Sequence, residues 1–298
     1  MHKLLKFTCL SICLFIAPAT MATTGPKLDG IVVFGDSLSD NGNLYQLKKG
    51  KVLGWPYYFG RCTNGLVWVE ILTYQLHLLP NQLDDRAIAG AQTNGSHPAG
   101  VKQQIAKYVA IYPQLDPNKL YIIWIGGNNY LYHPYAKEHH VDKAINDIDD
   151  AIISLKNHGA RYFLIPNLPD IGTTPLAAKL QKKHPHMGLQ ANLTQLSQDH
   201  DAKLAASLFT LQHTLGNNVI IMPMDVYTMM KAATTNPKKY GLINSTTACY
   251  QGAKLFAGGG TACQHPDQYL FWDIVHPTLA GHQELAALAL QSLTKAGL

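Results

Sequence analysis

The chain has 298 residues, 47% apolar and 14% charged, enough for one substantial core, with no repeats, low-complexity tracts or second domain. Its formal charge of +5 falls by two when a leader carrying Lys3 and Lys6 is removed, a mild balance that argues against nucleic acid as a partner. No segment after the leader reaches the roughly 18 apolar residues that a membrane span needs.

Residues 1–22 read as an export signal. Lys3 and Lys6 precede the apolar run Phe7 to Ala17, and Thr20 and Ala22 place small residues on either side of Met21, as signal peptidase requires. The mature domain is then 23–298, and its expected location is secreted or periplasmic. Cleavage removes Cys9 and Cys13 and leaves Cys62, Cys249 and Cys263 in an oxidising compartment, where one bridge can form.

Strands are expected at about 29–35, 84–89, 120–126, 161–166 and 218–223, separated by helical stretches, the βαβ rhythm of a doubly wound parallel sheet. The first is the most telling. Ile31-Val32-Val33-Phe34 stops abruptly at Gly35-Asp36-Ser37-Leu38, so Ser37 stands at the carboxyl end of a buried strand, where open α/β sheets place ligands. Gly-Asp-Ser alone also makes ordinary turns. After the second strand, Ala87-Ile88-Ala89-Gly90-Ala91 offers a backbone N–H at Gly90 with no Cβ in the way of a substrate. After the third, Leu120 to Ile125, the Asn128 side chain projects from a strand end, either toward a ligand or as a helix cap. Val141 to His158 shows the helices, with Val141, Ala144, Ile145, Ile148, Ile152 and Leu155 facing the core and an Asp and Lys face in water. Lys183-His184-Pro185-His186 lacks the carboxylate or cysteine pattern of a metal site and reads as surface; no metal or cofactor is expected.

Near the end, Asp273 and His276 lie three residues apart, and Pro277 turns His276 away from helical geometry. Such a loop can fold the carboxylate onto its own histidine, leaving the other ring nitrogen for Ser37. A surface Asp-x-x-His without a partner is the plain alternative.

Phe34-Gly35-Asp36-Ser37-Leu38-Ser39-Asp40, the Gly90 block, Gly126-Gly127-Asn128-Asn129 and Asp273-x-x-His276-Pro277-Thr278 occur in the order that defines GDSL-type (SGNH) hydrolases. The chain resembles that family, and within it the secreted bacterial phospholipases A, lysophospholipases A and glycerophospholipid:cholesterol acyltransferases. Gly60 to Glu70 and Asn167 to Pro175 also look like this branch. The resemblance implies a three-layer α/β/α sandwich around a mainly parallel five-stranded sheet. It further implies Ser37 as nucleophile, His276 as base, Asp273 as its orienter, and Ser37, Gly90 and Asn128 as the oxyanion hole.

The expected activity is acyl-ester hydrolysis of lysophospholipids or phospholipids through an acyl-enzyme. Transfer to a sterol, or hydrolysis of short-chain or carbohydrate esters, uses the same residues; a non-catalytic lipid-binding module would not need all five. Trp55, Tyr57, Tyr58, Phe59, Tyr130 and Tyr132 are candidates for an acyl groove or a lipid-surface contact, and Lys48, Lys49 and Lys51 for a phosphate or an anionic bilayer. Cys249 and Cys263 bracket a Gly- and Ala-rich loop whose closure would contribute about 3 kcal/mol. That loop, ten residues before Asp273, is either a stapled surface loop or a lid that a protease can cut at Gly258-Gly259-Gly260. Cys62 is expected as a small buried apolar group.

Overall fold

A computed structural model describes residues 25–252 and 254–298; the expected export signal, with Cys9 and Cys13, lies outside them. Five strands, β1 (Gly30–Gly35), β2 (Leu83–Asp85), β3 (Lys119–Trp124), β4 (Tyr162–Pro166) and β5 (Ile220–Met224), form one sheet in the order β2-β1-β3-β4-β5. Every neighbouring pair is parallel. The helices are α1 (Asn43–Leu47), α2 (Trp68–Gln75), α3 (Val101–Ile111), α4 (Gly127–Leu131), α5 (Glu138–Asn157), α6 (Pro175–Lys183), α7 (Leu189–Thr214), α8 (Val226–Thr235) and α9 (Leu279–Lys295).

Alternation along the strands builds the three layers, because successive side chains leave a strand on opposite faces. Val32, Phe34, Tyr121, Ile123, Phe163 and Ile165 pack against α3, α5 and α7. Ile31, Val33, Leu120, Ile122, Trp124, Leu164 and Met222 pack against α2, α8 and α9. Both faces are covered, so the strands read as continuous apolar runs in the sequence. A third, smaller cluster of Leu44, Leu53, Tyr57, Cys62, Cys249, Tyr250 and Trp272 sits under the loops near the site. Beside it are two minor sheets, β6 (Asn244–Ala248) with β9 (Tyr269–Phe271), and a hairpin of β7 (Tyr250–Gln251) with β8 (Thr261–Ala262).

Three expectations are corrected. The second strand ends at Asp85 rather than 89: Arg86 and Ile88 N–H still donate to Val33 and Gly35 carbonyls, but the Asp85 carboxylate takes the Asn41 and Ala87 N–H groups and turns the chain out of the ladder. Helix α5 starts at Glu138, not 141, because the His140 ring accepts the Lys137 N–H and caps an earlier turn. The polar face of that helix is not wholly in water: Asp147 is buried, accepting from Thr93 Oγ1 at 2.9 Å and paired with Lys102 and Lys143.

The end of β1 is held to a tight tolerance. A Cβ at Gly35 would lie 2.5 Å from the Trp124 carbonyl oxygen on β3, so only glycine fits. From α3, the buried Gln104 side chain accepts the Gly35 N–H at 3.0 Å and donates to the Gly35 and Ala99 carbonyls at 2.9 Å. Replacing Gln104 by Leu removes these three hydrogen bonds, two of them buried, and should cost about 2–3 kcal/mol in a denaturant titration. A loss well under 1 kcal/mol would show that β1 does not depend on this clamp.

Candidate active site

The turn after β1 is tied by its own polar groups. Ser39 and Asp40 N–H donate to the Asp36 carbonyl, and Leu38 N–H donates to Asp36 Oδ1 at 3.1 Å. Asp40 does more than its place in the motif suggests. Its buried carboxylate accepts main-chain N–H groups from Gly42, Asn43 and Leu44 at the start of α1, and from Ala89 at 2.8 Å across the sheet edge. The Ser37 turn and the loop carrying Gly90 are thereby joined by one side chain.

The second half of the site comes from the chain after β9. Trp272 N–H donates to the His276 carbonyl at 2.7 Å, while Val275 and His276 N–H both donate to Asp273 Oδ1 at 2.8 Å. The Asp-x-x-His loop therefore closes on itself. His276 Nδ1 lies 2.8 Å from Asp273 Oδ2, and His276 Nε2 lies 2.8 Å from Ser37 Oγ. An imidazole with its proton on Nδ1 donates to the carboxylate and accepts the Ser37 hydroxyl proton at Nε2. Thr63 Oγ1 donates to the Pro277 carbonyl at 2.8 Å, and Asn64 Oδ1 accepts the Leu279 N–H at 2.8 Å, bracing the chain just past His276.

Ser37, Asp273 and His276 are all buried. Burial works to raise the Asp273 carboxyl, but the adjoining His276 charge, its hydrogen bond and two main-chain donors outweigh this and hold it below the usual carboxylate range. Tyr57 Oη also donates to Asp273 Oδ2 at 2.9 Å. Burial first, then the negative Asp273, raise the Tyr57 phenol, so it stays a donor.

Asn128 is not a helix cap. Its Nδ2 donates to the Ala91 carbonyl at 2.9 Å and, at a longer 3.3 Å, to Asp36 Oδ2. It thus joins the residue after Gly90 to the residue before Ser37, and Ser37 and Asn128 line one cavity. Among the described residues, neither the Ser37 nor the Gly90 N–H has a hydrogen-bond partner. Gly90 has φ +84, a conformation in which a side chain is strained, and an added Cβ would approach Tyr132 Oη to 3.1 Å. Asn129 exchanges two hydrogen bonds with Thr93, which in turn donates to Asp147, so the buried charge on α5 anchors this loop from behind.

The bridge and the buried thiol expected from the sequence are both present, whereas the placement of Phe256 is not legible in it. Cys249 and Cys263 are disulfide-bonded, and Phe256 within their loop lies 5.7 Å from the His276 ring, covering it. Cys62 is a buried thiol beside the same cluster. None of the six candidate aromatic residues lines the cavity at Ser37: Tyr57 is inside on Asp273, Tyr130 is fully buried with its hydroxyl on His200, and Trp55 and Phe59 face solvent. The apolar cavity at Ser37 lies elsewhere. It is lined by Leu38, Trp124, Leu168, Met230, Phe271 and Leu285, from the end of β1 to α8.

A strand-end serine, a buried imidazole and a carboxylate held ionised can activate a hydroxyl toward a carbonyl carbon, and free N–H donors beside it can receive the oxyanion. Fold and site together define an α/β ester-hydrolysing enzyme. The sequence profile of the GDSL-like lipase/acylhydrolase family matches residues 31–289, and the chain belongs to that family. It is similar to the phosphatidylcholine-sterol acyltransferase of Aeromonas hydrophila, 26% identical with 94% of each chain covered. The thermolabile hemolysin of Vibrio parahaemolyticus is 24% identical over 89% of this chain and 64% of that protein. A solved member of the lipolytic G-D-S-L family from Veillonella parvula shares the fold, with a TM-score of 0.50 at 17% identity over 89% of this chain and 98% of its own.

Asp36 carries a pH signature. Burial pushes its carboxyl up, against the Leu38 N–H bond and the His276 charge, from 3.8 to about 6. The folded state therefore binds this proton more tightly than the unfolded chain, and the group's stabilising contribution is lost as pH rises from about 3.8 to about 6. Asp36→Asn removes that loss, so its melting temperature relative to wild type should climb across this window. A difference independent of pH would show that Asp36 titrates normally.

Proposed function

We propose that the protein hydrolyses acyl esters of lysophospholipids or phospholipids, with Ser37 as nucleophile, His276 as base and then acid, and Asp273 as orienter. The observation that carries this reading is the Asp273–His276–Ser37 hydrogen-bond relay opening directly onto an apolar cavity. Ser37 Oγ attacks the ester carbonyl as His276 Nε2 takes its proton. The tetrahedral oxyanion is received by the Ser37 and Gly90 N–H groups and by Asn128 Nδ2, which gives up its long bond to Asp36. His276 returns the proton to the departing alcohol, leaving an acyl group on Ser37. Water, activated by the same imidazole, then releases the fatty acid.

The apolar lining of the cavity favours the hydrocarbon part of an acyl ester. Its lining passes the carboxyl ends of β1, β3 and β4 and reaches α8. A second acceptor is also chemically open: the similarity to a phosphatidylcholine-sterol acyltransferase favours a sterol hydroxyl taking the place of water at the acyl-enzyme.

The deciding assay is release of fatty acid from lysophosphatidylcholine, diacyl phosphatidylcholine and a short-chain ester, with cholesterol added in parallel. Turnover of the lysolipid should vanish in Ser37→Ala, and cholesteryl ester would mark the transferase. Hydrolysis of the short ester alone would sink the phospholipid reading. Repeating the assay after nicking residues 254–260 tests whether the loop over His276 holds turnover back, and an unchanged rate would exclude that role.

The cavity makes a separate prediction. Met230→Trp fills the α8 end, so kcat/KM on a long-chain lysolipid should fall at least tenfold, with the short-chain ester retained within about threefold. Equal losses on both substrates would place the acyl chain elsewhere.

A further inference from the structure

The segment Tyr45 to Gly60 has two faces. Tyr57 points inward to Asp273, whereas Trp55 and Phe59, two residues to either side, are 75% and 76% exposed. Leu47 is 61% exposed, and Tyr45 and Tyr58 are partly so. Phe59, Leu53 and Lys49 all hold left-handed backbone conformations (φ 46, 54 and 53), which bulky side chains adopt only when their surroundings impose them. Phe59 is thereby held in water beside Trp55, while the Leu53 side chain is buried. Among the described residues, none of them lines the cavity at Ser37.

The charge of this segment is one-sided. Between Asp40 and Glu70 there is no acidic residue, while Lys48, Lys49 and Lys51 are exposed. Arg61, the remaining cation, is already paired with Glu70. The Tyr45 ring touches both Gly50 and Gly60, so the lysine turn and the aromatic loop lie side by side. Tyr45, Trp55, Pro56, Tyr58 and Phe59 border one shallow depression.

We infer that this face docks the protein on a lipid bilayer containing anionic headgroups. Trp and Tyr side chains are favoured at the membrane–water boundary because an apolar ring with a polar edge suits it, and Lys beside them meets anionic phosphates. A protein partner fits less well, because Lys is depleted at the buried centre of protein interfaces. Docking also reaches the site through main chain: Trp55 carbonyl accepts the Gly259 N–H at 2.8 Å, and Leu53 N–H donates to the carbonyl of Phe256, the residue over His276.

The structure supplies its own reporter. Of four tryptophans, Trp68, Trp124 and Trp272 are buried, and Trp55 alone is exposed. The test uses the full chain carrying Ser37→Ala, so that no lipid is hydrolysed, with vesicles of phosphatidylcholine or of equal parts phosphatidylcholine and phosphatidylglycerol. Co-sedimentation with the mixed vesicles and a blue shift in tryptophan emission are expected. Adding Trp55→Ala and Phe59→Ala should weaken binding at least tenfold and remove the shift. Changing Lys48, Lys49 and Lys51 together to Gln should weaken binding to the mixed vesicles about tenfold or more, and abolish its salt dependence.

With Ser37 intact, both sets of substitutions should keep hydrolysis of a soluble short-chain ester within about twofold, which certifies folding. The lysine set, lying wholly in exposed chain, keeps the test decisive even if the aromatic pair misfolds. Equal vesicle binding by all variants, or no blue shift, overturns the proposal. So does a dimer in solution that the aromatic pair dissolves, because a second copy would then cover the face. Binding is read without turnover, so failure of the esterase reading would leave this result standing.

Discussion

The site depends on keeping one carboxylate charged while wholly buried. Burial raises Asp36 and Asp40, and also Asp85 beneath the Asn41 turn, whereas Asp273 is lowered. The difference is local geometry. Asp40 accepts four neutral main-chain N–H groups and Asp85 two, which burial still outweighs; Asp273 faces an imidazole that can carry full charge, with two main-chain N–H groups added. A charge that must stay inside is stable only beside its partner, so the 273–276 loop can close in few ways. Tyr57, Thr63 and Asn64 then have definite tasks, holding the carboxylate or the chain immediately after His276.

The sheet converts that loop into a site. Ser37 follows β1, Gly90 follows the chain beyond β2 and Asn128 follows β3, three adjacent strand ends. Parallel strands bring their carboxyl ends to one edge, so donors more than ninety positions apart meet without any long loop reaching inward. The polar couplings there run through Asp40 to Ala89 and through Asn128 to Ala91 and Asp36. All three are buried, two of them between a side chain and main chain and one between two side chains, and they hold position more firmly than exposed side-chain pairs.

Apolar surface is divided between two places. The internal cavity uses strand-end and helix residues such as Leu168 and Met230, while the external face uses Trp55 and Phe59. Tyr57 stands between them, packed edge-on against Tyr250 and hydrogen-bonded to Asp273. The Cys249–Cys263 loop touches both sides, through Gly259 to Trp55 and through Phe256 to His276.

The sequence by itself determined the sheet, because strands covered on both faces must be continuous apolar runs, and Ile31 to Phe34 and Leu120 to Ile125 are such runs. It also placed Ser37 and Asn128 just past strand ends and Asp273 within reach of His276, since those relations are local. Tertiary structure decided what depends on distant partners. Asp85 cuts β2 short by taking N–H groups from another loop, and Asp147 leaves the solvated face of α5 because Thr93 and two lysines meet it there. Six aromatic residues look alike as a run of letters. Only the packed chain sends Tyr57 and Tyr130 inward and Trp55 and Phe59 outward, because the side of an irregular loop that faces the core is set by contacts across the fold and not by any period along it.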